Sequence, residues 1–309
     1  MKLAKKILQS AFICASILPL AHAEINYVPL EFRQVSGLRP FVYAEMNHHR
    51  FQLMVHAQAG FYAMTTHANA ALIGLKNLEN KEQYGIVAPG KVSTLGRSTE
   101  NLALLEVGKD SVTNVKLLVF EVPQTEGEMH GMLGIRWLRD RKVIIDYDAG
   151  RLAIPSSPAD TAAEDQRLVA RGYVGHKMQW DGERGGFVIT GTVNGVPAQF
   201  VVNSVAQSQL DTEFAERAKI QAGPQISEYG GPKGAVGKVF LSKKQVPTTV
   251  DGQATNPFQP EIFDAYAYEG LARPPAGSLS RNATIGAEFM LANQAIIDFG
   301  SEMLFLPTR

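Results

Sequence analysis

Met132-Leu133-Gly134-Ile135-Arg136-Trp137-Leu138, followed by Val143-Ile144-Ile145-Asp146-Tyr147 and then Arg151-Leu152-Ala153-Ile154, has a counterpart at the end of the chain. There the sequence runs Thr284-Ile285-Gly286-Ala287-Glu288-Phe289-Met290, then Ala295-Ile296-Ile297-Asp298-Phe299 and Met303-Leu304-Phe305-Leu306. Gly134 and Gly286 are separated by 152 residues, as are Asp146 and Asp298, so the two blocks superpose without a gap. An internal repeat of this kind sets domain boundaries before any local reading.

The starts of the halves correspond too. Phe187-Val188-Ile189-Thr190 and Ala198-Gln199-Phe200-Val201-Val202 flank Asn194-Gly195, a pair suited to the positive φ angles of a tight hairpin turn. Phe41-Val42-Tyr43-Ala44 and Phe51-Gln52-Leu53-Met54-Val55 flank Asn47-His48-His49-Arg50 in the same way. After each hairpin comes a short small or polar segment and then a candidate helix, over 66–75 and 212–220. Val-, Leu- and Phe-rich runs at 102–105 and 115–120 read as strands, so the halves are mainly β. Pro155-Ser156-Ser157-Pro158 opens a turn-rich connection, with a short helix expected over 162–168. The resulting division is a first domain over 24–154, a linker over 155–172 and a second domain over 173–309.

Residues 1–23 read as a signal peptide. Lys2, Lys5 and Lys6 form a basic start, the run from Ile7 to Leu20 is apolar but too short to span a bilayer, and Ala21-His22-Ala23 is a small-x-small cleavage site. A lipoprotein anchored at Cys14 is the alternative, disfavoured because the apolar run continues past it. Removing this segment takes away the single cysteine and leaves 27 basic against 30 acidic residues, a net of −3. The expectation is an exported chain, periplasmic or secreted, with no disulfide and no transmembrane segment. Its charge does not mark nucleic acid as a partner.

The pattern of hairpin, strand, loop, helix and late apolar-apolar-Gly block resembles the retropepsin-like aspartic peptidases. That resemblance implies two tandem retropepsin-like β-barrel domains packed as a pepsin-like bilobal pseudo-dimer. It also implies a cleft where two loops meet, each carrying Asp-Thr/Ser-Gly-Ala/Ser. In this chain Leu53-Met54-Val55 leads into His56-Ala57-Gln58-Ala59, and Phe200-Val201-Val202 leads into Asn203-Ser204-Val205-Ala206. Both acids of the motif are replaced, by His56 and Asn203, and its glycines by Gln58 and Val205.

The family's chemistry needs two facing carboxylates that share a proton, one activating water and the other protonating the carbonyl. Asn203 has no proton to exchange near neutral pH. His56, with an ordinary pKa of about 6.5, could act as a base but has no acid beside it in this register. No catalytic residue is therefore expected, and the cleft positions His56, Ala57, Gln58, Asn203, Ser204 and Val205 are assigned to binding a peptide or protein. Asp146, Asp211 and Asp298 are the alternative acids, read as a helix cap for Asp211 and strand-end hydrogen bonds for the other two. The endopeptidase of altered mechanism and the structural envelope component are the competing functions.

His48, His49, His56 and His67 invite a zinc reading, but their spacing fits no compact ligand motif, so no metal is expected. Tyr229-Gly230-Gly231-Pro232-Lys233-Gly234 lacks a phosphate-loop ending, and no cofactor is expected. That stretch and 84–96 read as flaps or loops. The aromatic-rich stretch over 257–268 reads as core of an insertion, with a peptide-contacting surface as the alternative.

Overall fold

The computed structural model describes residues 25–35, 37–122, 129–231, 233–275 and 280–308. The expected signal peptide lies outside the described residues. In chain order the first half contains β1 (Asn26–Pro29), β2 (Glu31–Gln34), β3 (Leu38–Met46), β4 (His49–His56), β5 (Ala63–Thr65), α1 (His67–Leu72), β6 (Ile86–Ala88) and β7 (Lys91–Val92). It continues with β8 (Ser98–Val107), β9 (Asp110–Val119), β10 (Gly131–Gly134), α2 (Ile135–Asp140), β11 (Ile144–Asp146) and β12 (Arg151–Ile154). Helix α3 (Pro158–Ala170) follows. The second half has β13 (Tyr173–Lys177), β14 (Gln179–Asp181), β15 (Gly186–Val193), β16 (Val196–Val202), β17 (Gln209–Asp211), α4 (Thr212–Arg217), β18 (Ala222–Gly230) and β19 (Val236–Ser242). It ends with β20 (Thr248–Val250), β21 (Gln253–Ala254), β22 (Glu261–Phe263), α5 (Ala265–Glu269), β23 (Ala283–Ile285), α6 (Ala287–Ala292), β24 (Ile296–Asp298) and β25 (Met303–Pro307).

The protein is mainly β, and its two larger sheets are built alike. The first runs β2-β3-β4-β10-β5-β9, ending on β8, and the second contains β14-β15-β16-β23-β17-β22 in the same order. In both, the strand leading into the loop pairs in parallel with the late-block strand: β4 with β10, and β16 with β23. Tight turns set the hairpin registers. Asn47 and His48 take positive φ angles, as do Asn194 and Gly195, which matches the right-handed twist of the strands they join. A third sheet, β1-β12-β11-β24-β25-β13, draws three strands from each half, and β11 meets β24 with Ile145 opposite Ile297. Leu53, Val55 and Leu133 belong to one apolar cluster with Phe200, Val202 and Ile285, so the core is continuous across the halves.

The connecting helix is longer than the sequence reading of 162–168. Ser157 caps it by accepting a hydrogen bond from the Asp160 amide, and Pro158 occupies the first turn, where a missing N–H costs nothing. The turn signal Ser157-Pro158 is thus a helix start. Leu168 packs beneath both Ile144 and Ile296, so α3 lies against the sheet that joins the halves. The expected helices at 66–75 and 212–220 are α1 and α4, capped by Thr66 and Asp211. The stretch over 257–268 holds β22 and α5, with Phe263 and Tyr266 buried and Phe258 edge-on to Phe289, as a core role requires. Among the described residues, no helix is long and apolar enough to cross a membrane.

Two glycines let the loops fold back onto the late blocks. A side chain at Gly134 would meet the carbonyl oxygens of Phe61 at 2.2 Å and Ala59 at 2.6 Å, and one at Gly286 would meet those of Ala206 at 2.3 Å and Gln207 at 2.8 Å. Backbone cannot yield cheaply there. Gly286→Ala is therefore expected to destabilise the protein by about 3 kcal/mol through overpacking, read as a lowered urea midpoint at unchanged slope.

Candidate functional site

Strand pairing places His56 and Asn203 in equivalent positions. His56 lies level with Gly134 across the β4–β10 pair. Val202 pairs with Ile285, and the Asn203 amide donates to the Ile285 carbonyl at 3.0 Å, which brings Asn203 level with Gly286. The turns beyond them also match. The Gln58 amide donates to His56 Nδ1 at 3.2 Å, and the Val205 amide donates to Asn203 Oδ1 at 3.3 Å. Each side chain thus accepts the N–H two residues on, as in an Asx-type turn.

One hydroxyl joins the two loops. Ser204 Oγ accepts from the Ala57 amide at 2.7 Å and donates to the Val55 carbonyl at 2.7 Å, fully buried. The equivalent of Ser204 in the first half is Ala57, which has no hydroxyl to return the contact. Gln58 takes that place: its Nε2 donates to the Val202 carbonyl at 3.0 Å, while its Oε1 accepts from Arg281 Nη2 at 3.1 Å. Arg281 is itself steadied by Asp181, with Nε 3.4 Å from Oδ2. Below the joint, Tyr147 donates its buried hydroxyl to the Ser204 carbonyl at 2.8 Å, and burial raises its pKa. Ala206 sits at φ +60° and donates its amide to the Leu38 carbonyl at 2.7 Å.

These contacts revise the set of residues assigned to ligand binding. Ala57, Ser204 and Val205 are buried, and Val205 packs against the cluster of Phe41, Met54, Met64 and Phe120. They hold the loops together and offer no surface. Gln58 is half-buried and engaged on both ends of its amide. His56 and Asn203, both half-buried, remain as groups at the loop tips.

The electrostatics leave both tips neutral. Burial, and then the nearby positive charge of Arg39, push the His56 pKa down to about 3. Its Nδ1 accepts a hydrogen bond, which assigns the ring proton to Nε2. Among the described residues, no carboxylate forms an ion pair with His56. Asp211 caps α4 through the Glu213 amide and pairs with Arg273. Asp146 accepts from the Ala149 amide, and Asp298 from the Gly300 and Ser301 amides. All three acids hold turns or helix starts. The loops therefore carry one neutral imidazole and one carboxamide, which can donate and accept hydrogen bonds but cannot share a proton as two carboxylates do.

The four histidines are not brought together. His56 lies in the loop, His67 contacts Glu121 through Nδ1 at 3.0 Å, and His48 stands on a hairpin turn where its donor atom and those of Glu45 and Glu106 lie within 4.8 Å of one another. The segments read as flaps are hairpins, β6–β7 and β18–β19, and they approach each other. A side chain at Gly230 would come within 2.8 Å of Pro89 Cα, and one at Gly90 within 2.9 Å of Val236. Beside them, Tyr229, Phe263 and Tyr268 form a ring cluster with centroids 5.5 to 5.9 Å apart. Gln58, Arg281 and Tyr147 carry no sequence signal for their roles, since each acts on a backbone or side chain far along the chain.

No family model matches the sequence, and no curated protein matches it. Among solved structures, the chain is similar to a crystal structure of a retropepsin-like aspartic protease from Rickettsia conorii, with 19% identity and a TM-score of 0.32 over 42% of this chain and 91% of that one.

Ser204→Ala should destabilise the protein by about 3 kcal/mol, because two buried backbone groups lose their partner at roughly 1–3 kcal/mol each. Denaturant unfolding measures this. The His56 ring should stay neutral down to pH of about 3, observable in its imidazole nitrogen shifts. Because the folded pKa lies below the ordinary 6.5, the stabilisation tied to His56 is complete above 6.5 and is lost as pH falls toward 3. His56→Gln should therefore flatten the acid limb of the stability profile.

Proposed function

We propose that this chain is an exported, non-hydrolytic protein of retropepsin-like fold that binds an extended peptide or protein segment in the cleft between its two halves. The observation that carries this reading is the pair of matched loop tips bearing His56 and Asn203, held in equivalent registers and joined by the Ser204 hydroxyl. The joint is complete, whereas the two carboxylates that hydrolysis needs are absent from it.

Several features support the finer parts. The shared strand order of the two large sheets and the symmetric third sheet favour a duplicated unit packed as a bilobal pseudo-dimer. Export to the periplasm or beyond rests on the basic and apolar N-terminal segment with its small-residue cleavage site. Peptide binding by strand addition uses backbone hydrogen bonds and side-chain pockets, and needs no acid. β18 is an edge strand with a largely exposed run of side chains, including Ile226, so its outer backbone groups are open to such pairing. The hydrolytic alternative is disfavoured because a histidine held at a pKa of about 3 is a weak base at the pH where it would act.

The test combines hydrolysis with binding. Purified mature protein incubated with unfolded proteins between pH 3 and 7 should leave them intact by mass spectrometry, while an array of extended peptides should retain it. Cleavage lost on His56→Ala would overturn the non-hydrolytic part. An array without retained peptides, or retention unaltered when His56 and Asn203 are both replaced by Arg, would overturn the cleft as the binding site.

A further inference from the structure

The two halves give their matching buried aspartates different neighbours. Asp146 and Asp298 end equivalent strands, β11 and β24, and are 2% and 0% exposed. Each spends one oxygen on a turn. Asp146 Oδ1 accepts from the Ala149 amide at 2.9 Å, and Asp298 Oδ1 accepts from the Gly300 and Ser301 amides at 2.6 and 3.0 Å. Both second oxygens are buried without a hydrogen-bond donor among the described residues, but their charged neighbours differ in sign. Asp146 Oδ2 faces Arg151 Nε at 3.6 Å, and the Arg167 guanidinium on α3 lies near enough to feel the Asp146 charge. Asp298 Oδ2 is buried without a hydrogen-bond donor among the described residues, and the side chain facing it is another acid, Asp165 on α3.

The rest of that pocket holds no cation for either acid. From α3, Thr161 borders Gly300 and Glu164 is engaged by Arg167. From the turn after β24, Ser301 Oγ donates to Asp165 Oδ1 at 3.5 Å, and Glu302 pairs with Lys177. From the turn before β11, Lys142 presents its Cβ to Gly300. Among the described residues, neither Asp165 nor Asp298 makes an ion pair.

We propose that Asp165 and Asp298 share one proton, and that this carboxyl pair is a pH-sensitive clasp holding α3 against the sheet that joins the two halves. Two carboxylates in contact cannot both ionise without strong repulsion, and a proton between them supplies the donor that the buried Asp298 oxygen lacks. Burial, followed by the neighbouring Asp165, raises the Asp298 pKa to about 7. An acid whose folded pKa is raised contributes stability that is complete below its unfolded value of about 3.9 and is lost as pH rises through the folded value. The clasp is therefore closed in mildly acidic surroundings and loosens as pH climbs past neutrality. Because Leu168 of the same helix packs under both Ile144 and Ile296, loosening α3 frees the underside of the joint between the halves.

The experiment uses the mature chain and reads carboxyl carbon NMR signals of labelled aspartate between pH 4 and 9. One signal should titrate near pH 7 and vanish from that range in Asp165→Asn, whose amide supplies a fixed donor to Asp298. Over pH 6.5 to 8.5, where His56 is already neutral, the wild-type melting temperature should fall by about 2 °C while that of Asp165→Asn stays level. Amide exchange of residues 158–170, corrected for intrinsic rate, should rise over the same interval in the wild type alone. The clasp is overturned if every aspartate carboxyl titrates below pH 5, or if Asp165→Asn keeps the wild-type pH dependence. The titration is measured on the wild type, so the first criterion stands even if a variant fails to fold.

Discussion

The two loops meet through the hydroxyl of Ser204, and the requirement that buried backbone groups be satisfied organises everything around it. The Ala57 amide and the Val55 carbonyl belong to one half and Ser204 to the other, so a single side chain completes the hydrogen bonding of a foreign loop. Because the first half offers Ala57 at the matching position, the reciprocal contact had to come from elsewhere. Gln58 supplies it by reaching the Val202 carbonyl, and Arg281 and Asp181 hold Gln58 in place. A position that reads as a lost glycine is therefore occupied by a residue with structural work to do. The loops remain joined, by an asymmetric set of bonds.

The same joint determines what the site can do. Burial is tolerable for His56 because it stays neutral, with Nδ1 accepting a backbone N–H and the Arg39 charge opposing protonation. Asn203 accepts the corresponding N–H with no charge at all. An aspartate pair in these surroundings would need a shared proton. A histidine and an asparagine do not, so the loops close here with no shared proton between their tips. Where two acids do face each other, at Asp165 and Asp298, they lie between helix α3 and the turn after β24.

Much of the fold was legible in the sequence. The similar blocks around Gly134 and Gly286 gave the register, because a glycine under a folded-back loop and an apolar strand after it are local features that survive without their partners. Asn194-Gly195 announced its hairpin, and Asp211 its helix cap, for equally local reasons. Helix α3 was underread because Pro158 serves both turns and first helical turns, and only the docking of Leu168 against Ile144 and Ile296 favours the longer helix. At the site, His56 and Asn203 could be placed by motif. The burial of Ala57, Ser204 and Val205 could not, since whether a loop residue faces ligand or core depends on the half it packs against.

By itself the sequence determined the mainly β character, the hairpins and helix caps of the two halves, and the presence of His56 and Asn203 at the loops, because hydrophobic period, turn chemistry and residue identity are written along the chain. Only the tertiary structure decided that Ser204 bonds across to Val55 and Ala57, that Gln58 answers from the other side, and that Asp165 of α3 faces Asp298. Those outcomes turn on residues far apart in the chain meeting in a water-poor interior, where each buried donor, acceptor and charge must find its partner in space.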